Sequence, residues 1–246
     1  MFRRVSIFRE GKKSLALLLL IVFLAGSFEV AGAEEKTRIW PVQAIDTMKF
    51  SRDRAREKLN DPSFDAVIDE QVKIIAETGA THVAIATPYD EEFLPYLTRW
   101  VSAARRHNLS VWFRGNTSEW EGWFGYPRYT NPSDHHKDVY NFITSNPGLF
   151  REGDIFSPAP EPENGAIRDI WTSDKKREEF RNFIAASYKN CQGAMRAIGK
   201  NVKCGYFSTN GDVARDIFTK DLVSKAGDVV VIDHYVKTAK RLINDV

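Results

Sequence analysis

The feature that most constrains this chain is its regular alternation of short β-branched apolar runs with longer amphipathic stretches. Apolar runs occupy residues 39–46, 81–87 (THVAIAT), 109–114 (LSVWFR), 154–159, 202–207 and 228–233 (DVVVID). Between the first two, Phe64, Val67, Ile68, Val72 and Ile75 share one helical stripe, with Gly79 placed as its stop. Phe93, Leu97, Trp100, Val101 and Ala104 mark a second helix, and a shorter one is expected over 138–144. The strongest helical face is Phe180, Phe183, Ile184, Ser187, Cys191, Ala194, Met195 and Ile198, with Ser173 and Asp174 supplying an N-cap. A weaker helix lies between the last two runs, and another begins near Lys237.

Strict alternation of this kind implies an α/β protein whose parallel sheet is covered by helices. The sheet is either doubly wound or closed. Asp46-Thr47-Met48-Lys49 in the first turn lacks the glycines of a dinucleotide site, and no phosphate-binding loop sequence occurs. Polar residues gather at or just past the ends of the apolar runs: Asp46, Tyr89, Asp90, Arg114, Asn116, Glu161, Glu163, Asn210, Asp233, His234 and Tyr235. Barrel enzymes build their sites on that edge, so the expected fold is a TIM-type (β/α) barrel. About six of its eight βα units are visible, and the expectation is one domain over 34–246 that stops before closure.

The first 33 residues read as a signal peptide. Arg3, Arg4, Arg9, Lys12 and Lys13 precede an apolar run over 15–28, and Ala31-Gly32-Ala33 offers a cleavage site. The alternative is an uncleaved anchor, so the membrane enters only through this segment. The expected location is secreted, periplasmic or cell-surface. In such a compartment Cys191 and Cys204 could pair, but their spacing does not bring them together, and two buried thiols fit as well. A formal net charge of +2 gives no footprint for nucleic acid. No spacing suggests a metal site or an organic cofactor.

The segment over 157–165, Ser-Pro-Ala-Pro-Glu-Pro-Glu-Asn-Gly, carries the most chemistry. Its three prolines exclude a strand or helix interior. It reads as a rigid exit from the fourth strand that presents Glu161 and Glu163, with Asn164 beside them, or as a stiff solvated turn. Glycoside cleavage needs a carboxylic acid held against the leaving oxygen, opposite a second carboxylate. Glu161 and Glu163 are two apart on one segment, so they cannot easily flank one sugar ring. Trp120, Trp123, Phe124, Tyr126 and Tyr129 crowd the loop after the third strand, as a stacking wall for sugars or as a small apolar core of their own. His135-His136 is expected at an exposed helix start, and His82 and His107 without partners.

In this arrangement the chain resembles the clan A glycoside hydrolases, in which a glutamate at the end of strand four, often within Asn-Glu-Pro, is the acid/base. Glu161-Pro162 matches the Glu-Pro part, and Pro160 stands where that family has asparagine. The resemblance implies Glu161 as general acid/base and a carbohydrate as substrate or ligand. Arg114 and Asn116 would lie in the same pocket, and Asp233-His234-Tyr235 is similar to an element that follows strand six in that clan. The clan's nucleophile belongs to strand seven, expected in a missing C-terminal part. A second expectation is a non-catalytic carbohydrate-binding or surface protein on a degenerate barrel.

Overall fold

The computed structural model describes residues 41–232 apart from 130, 166, 168, 210 and 219. The signal segment, Asn210, Asp233, His234 and Tyr235 lie outside the described residues.

The described residues form six strands: β1 (Ala44–Asp46), β2 (His82–Ile85), β3 (Ser110–Phe113), β4 (Ile155–Phe156), β5 (Lys203–Thr209) and β6 (Val229–Ile232). The longer helices among the described residues are α1 (Asp65–Glu77), α2 (Leu94–Arg106), α3 (Pro132–Ser145), α4 (Asp174–Ala197), α5 (Gly211–Asp216) and α6 (Lys220–Ala226). The sheet order is β1-β2-β3-β4-β5-β6, and every neighbouring pair is parallel. Order along the sheet therefore follows order along the chain. A doubly wound sheet reverses direction at a switch point, and these six strands have no reversal. The structure thus establishes an α/β protein with a sequentially ordered parallel sheet.

Burial explains why the strands sit where they do. All four residues of β2 are buried, as expected for a strand with both faces covered. Val83, Ile85, Val111, Phe113 and Phe156 join Ile68, Val72, Leu97, Trp100, Val139, Ile143 and Met195 in one apolar cluster of sheet and helices. A second cluster joins Trp120 and Ala159 to Phe180, Phe183 and Ile184 of α4, and to Val213, Ile217 and Leu222 beyond it. Helix α4 thus spans both clusters, its C-terminal half in the first and its N-terminal half in the second. Its start is capped as the sequence suggests, with Ser173 Oγ accepting from Lys176 N at 3.2 Å.

Three local expectations are corrected. The third helix is a full Pro132–Ser145 rather than 138–144, because Asn131 caps it, accepting from Ser133 N, and proline occupies its first turn. His135 is wholly buried within it, not exposed, and His136 is half-buried. His135 lies against Trp120 with ring centroids 4.3 Å apart, and burial followed by the neighbouring His136 pushes its pKa down to about 3. The ring is neutral, and its Nε2–H donates to Asn116 Oδ1 at 2.8 Å. His82 and His107 also have partners, Gly153 O at 2.9 Å and Asp69 at 3.1 Å respectively.

Cys191 of α4 and Cys204 of β5 form a disulfide, their Cα atoms 6.2 Å apart. The bond ties the long helix to the strand it covers. A loop of this length removes about 3 kcal/mol of disorder from the unfolded chain. Replacing both cysteines by serine should lower the unfolding free energy by that amount, read from urea denaturation, and dithiothreitol should do the same to the wild type. A wild-type midpoint indifferent to reductant would refute the bridge.

Candidate functional site

The C-terminal ends of β1, β3 and β4 bring together the charged groups of the site. Asp46 is the last residue of β1, and its Oδ1 accepts from Met48 N at 2.6 Å, fixing the carboxylate over the next turn. Arg114 follows β3 directly, and its backbone N–H donates to Ile85 O at 2.8 Å. The Arg114 guanidinium is 13% exposed. One of its nitrogens, Nη1, pairs with Asp46 Oδ2, and the other, Nη2, lies 3.6 Å from Glu161 Oε1. A single arginine therefore bridges carboxylates delivered by two other strands.

Glu161 is held by its own segment. It sits between Pro160 and Pro162 with φ 49° and ψ 57°, a left-handed conformation that costs a non-glycine residue about 1–2 kcal/mol. That cost persists only where the surroundings enforce it. Pro162 opens a one-turn helix to Asn164, whose Nδ2 donates to Glu161 Oε2 at 2.9 Å. Asn164 is thus a support for the carboxylate. Glu163 is half-buried on the same turn. Gly165 closes the segment against the face of the Trp120 indole, with no room for a Cβ.

Three residues expected to contact substrate are buried, although Tyr89 also edges the cavity described below. Tyr89 is buried, stacked on Phe142 at 4.5 Å and Phe156 at 5.0 Å, and burial pushes its hydroxyl pKa upward. Asn116 is buried too. Its carbonyl accepts from Tyr89 N, and its Oδ1 from Thr117 N and His135. Trp120 is wholly buried, stacked on Phe183 at 5.0 Å, and offers no open face to a sugar. Only Trp123 of the two loop tryptophans stays half-exposed, and the Arg52 guanidinium lies over its ring at 4.8 Å. Phe124 packs on Phe93 at 4.8 Å, so the loop is largely a small aromatic core.

No protein-family model matches the chain, and no curated protein does. What the site can do rests on its own residues.

Glu121 is a half-buried carboxyl that the sequence did not single out. It ends the short helix Ser118–Glu121, where Gly122 turns the chain in a left-handed conformation. Burial, and then the negative charge of Glu161, push its pKa up to about 7, against the opposing pull of Arg52, Arg128 and a side-chain hydrogen bond with Trp123. The only sequence signal was a glutamate between two tryptophans, and one helical turn does not reveal which way it faces.

A cavity of about 750 Å³ lies to one side, lined by Asp90, Glu92, Glu119, Tyr126, Tyr129 and Asp138 among others. Arg114, Glu161 and Asp46 do not line it. Most of its acidic groups are engaged: Glu92 with Arg56 and Tyr126, Asp90 with Ser118, and Asp138 with Tyr129. Its size alone does not make it the reactive centre. Among the described residues no group of histidine, cysteine, aspartate or glutamate is arranged to hold a metal ion.

Proposed function

We propose that this protein is a secreted, glycoside hydrolase-like protein acting on a poly- or oligosaccharide, with Glu161 as its general acid/base. One observation carries the reading: the Asp46–Arg114–Glu161 chain of charges, assembled from three strand ends at one edge of a sequentially ordered parallel sheet. That edge is where (β/α) barrels hold their chemistry, and the strand order supports reading the sheet as the greater part of such a barrel. The enforced left-handed backbone at Glu161 and its asparagine prop support a carboxylate placed for work rather than left in a solvated turn. Asp46, Arg114, Asn164 and Trp123 would position the sugar. Asn210, Asp233, His234 and Tyr235 would join them, and Tyr89, Asn116 and Trp120 would hold the floor. The Cys191–Cys204 bridge suits an exported protein. No helix of the described residues is long and apolar enough to cross a membrane, so attachment, where it exists, would come through the leader.

The chemistry asks for a carboxyl group that exchanges a proton with the glycosidic oxygen and a neighbour that holds it in place. Glu161 and Arg114 supply these. The test is release of reducing ends from a panel of plant, bacterial and host oligosaccharides. Glu161→Gln should cut turnover at least about 100-fold while calorimetric binding of the same sugar persists. Turnover that survives the substitution would remove Glu161 from the reaction. Binding without any turnover in the wild type would favour a carbohydrate-binding protein.

A further inference from the structure

The cavity of about 750 Å³ is walled by groups that the proposed chemistry does not use. Three of its carboxylates are half-buried and come from three elements: Asp90 past β2, Glu119 in the short helix after β3, and Asp138 on α3. Asp90 accepts from Ser118 N and Oγ at 2.9 and 2.5 Å, and Asp138 accepts from the Tyr129 hydroxyl. These donors are neutral, so they fill lone pairs and leave the negative charge standing. Among the described residues no lysine or arginine lines the cavity, and of its carboxylates only Glu92 has a cationic partner, Arg56 at 2.8 Å. Taking charge from water without a counter-ion costs free energy. Burial pushes the Asp90 pKa up against the hydrogen bonds from Ser118, and the charge of Glu92 adds to the rise.

Thr117 is a second observation at the same wall. It is 4% exposed, and its Oγ1, beside the Tyr129 phenol, makes no hydrogen bond of ordinary geometry. Such a buried hydroxyl is uncommon, and it marks a place for a polar atom that the chain does not supply. Leu94, Phe142 and the rings of Tyr126 and Tyr129 add apolar surface between the acids. The acids are spread around this surface, and among the described residues they do not converge as ligands of a single metal ion. Spaced cationic groups on a C–H frame match such a wall better than a point charge.

We propose that this cavity binds a small organic ligand carrying several ammonium groups, held between Asp90, Glu119 and Asp138. It is a site separate from Arg114 and Glu161, which do not line it, and it stands whether or not a glycoside is cleaved. Each ammonium exchanges water for charge-assisted hydrogen bonds to a carboxylate, and Thr117 Oγ1 accepts from one of them. The tyrosine rings pack on the ligand's C–H surface and attract its charge. The volume falls within the range of small-molecule sites. Two sources share this chemistry, a linear polyamine and a short oligomer of an amino sugar.

The experiment is calorimetry on the full chain at pH 7 and low salt, with spermidine, the glucosamine trimer and, at equal ionic strength, magnesium chloride. Spermidine or the trimer should bind at one site per chain, and which of them binds identifies the source. Asp138→Asn and Glu119→Gln should each weaken that binding at least about fivefold. Glu70→Gln removes an exposed acid of α1 that pairs with Lys73, and should change it less than about twofold. A second readout keeps folding apart from binding. Ligand should raise the wild-type Tm, and Glu119→Gln should keep the ligand-free Tm while losing most of that rise. Three results would each overturn the proposal: no binding of either amine at millimolar concentration, magnesium binding as tightly as the amines, or Glu70→Gln weakening them as much as the cavity variants do.

Discussion

Replacing Asp154 by alanine should destabilise the protein by about 3–5 kcal/mol, the cost of breaking a buried charge pair from one side. Asp154 has no exposed surface. Its two oxygens meet the Arg105 guanidinium at 2.8 and 2.5 Å, and they also accept from the backbone N–H of Val111 at 2.8 Å and of Arg151 at 2.9 Å. One side chain thus satisfies the start of β3, the turn before β4 and the end of α2, while its carbonyl accepts from Lys203 at the start of β5. Alanine would strand a guanidinium that is mostly buried and orphan two backbone donors. The double variant Arg105→Met/Asp154→Leu should lose less than Asp154→Ala, because it removes both charges together. Urea unfolding measures both. A loss under about 1 kcal/mol for Asp154→Ala would show that the network contributes little.

That network sits at the opposite end of the strands from Glu161, which separates what holds the sheet from what the sheet presents. The separation bears on how much of the molecule its sequence disclosed. Strand positions and order were legible because apolar runs of the right length alternate with 3.6-residue stripes, a local signal. Asp46, Arg114 and Glu161 were legible for the same reason, since a residue just past a strand faces the sheet's C-terminal edge wherever that strand pairs. The misreadings concern side chains whose environment is made by distant residues. His135 carries a polar label, yet Trp120 and Phe183 enclose it. Trp120 looked like a stacking platform, and becomes floor because α4 crosses beneath the loop. Pairing of Cys191 with Cys204 depends on how a helix lies on a strand, which no spacing encodes. Glu121 is the clearest case, because its character comes from burial and from Glu161, forty residues away in the chain.

Gly165→Ala tests the contact between the exits of β3 and β4, where Gly165 meets the Trp120 indole. A methyl built there would overlap Cε2 and Cζ2 of the Trp120 ring. The ring cannot retreat, being wholly buried between Phe183 and His135. The backbone of the 161–165 turn must lift instead, at a cost of about 3 kcal/mol, the upper part of the usual range for overpacking. Lifting that turn would draw Glu161 away from Arg114 and from Glu121. Turnover should therefore fall together with the urea midpoint, and the Glu121 carboxyl should titrate at lower pH as its negative neighbour recedes. Trp120→Leu removes the indole atoms that the methyl would strike. On that background Gly165→Ala should cost less than about 1 kcal/mol, so the pair is strongly non-additive. Additive losses would mean that glycine and indole do not meet.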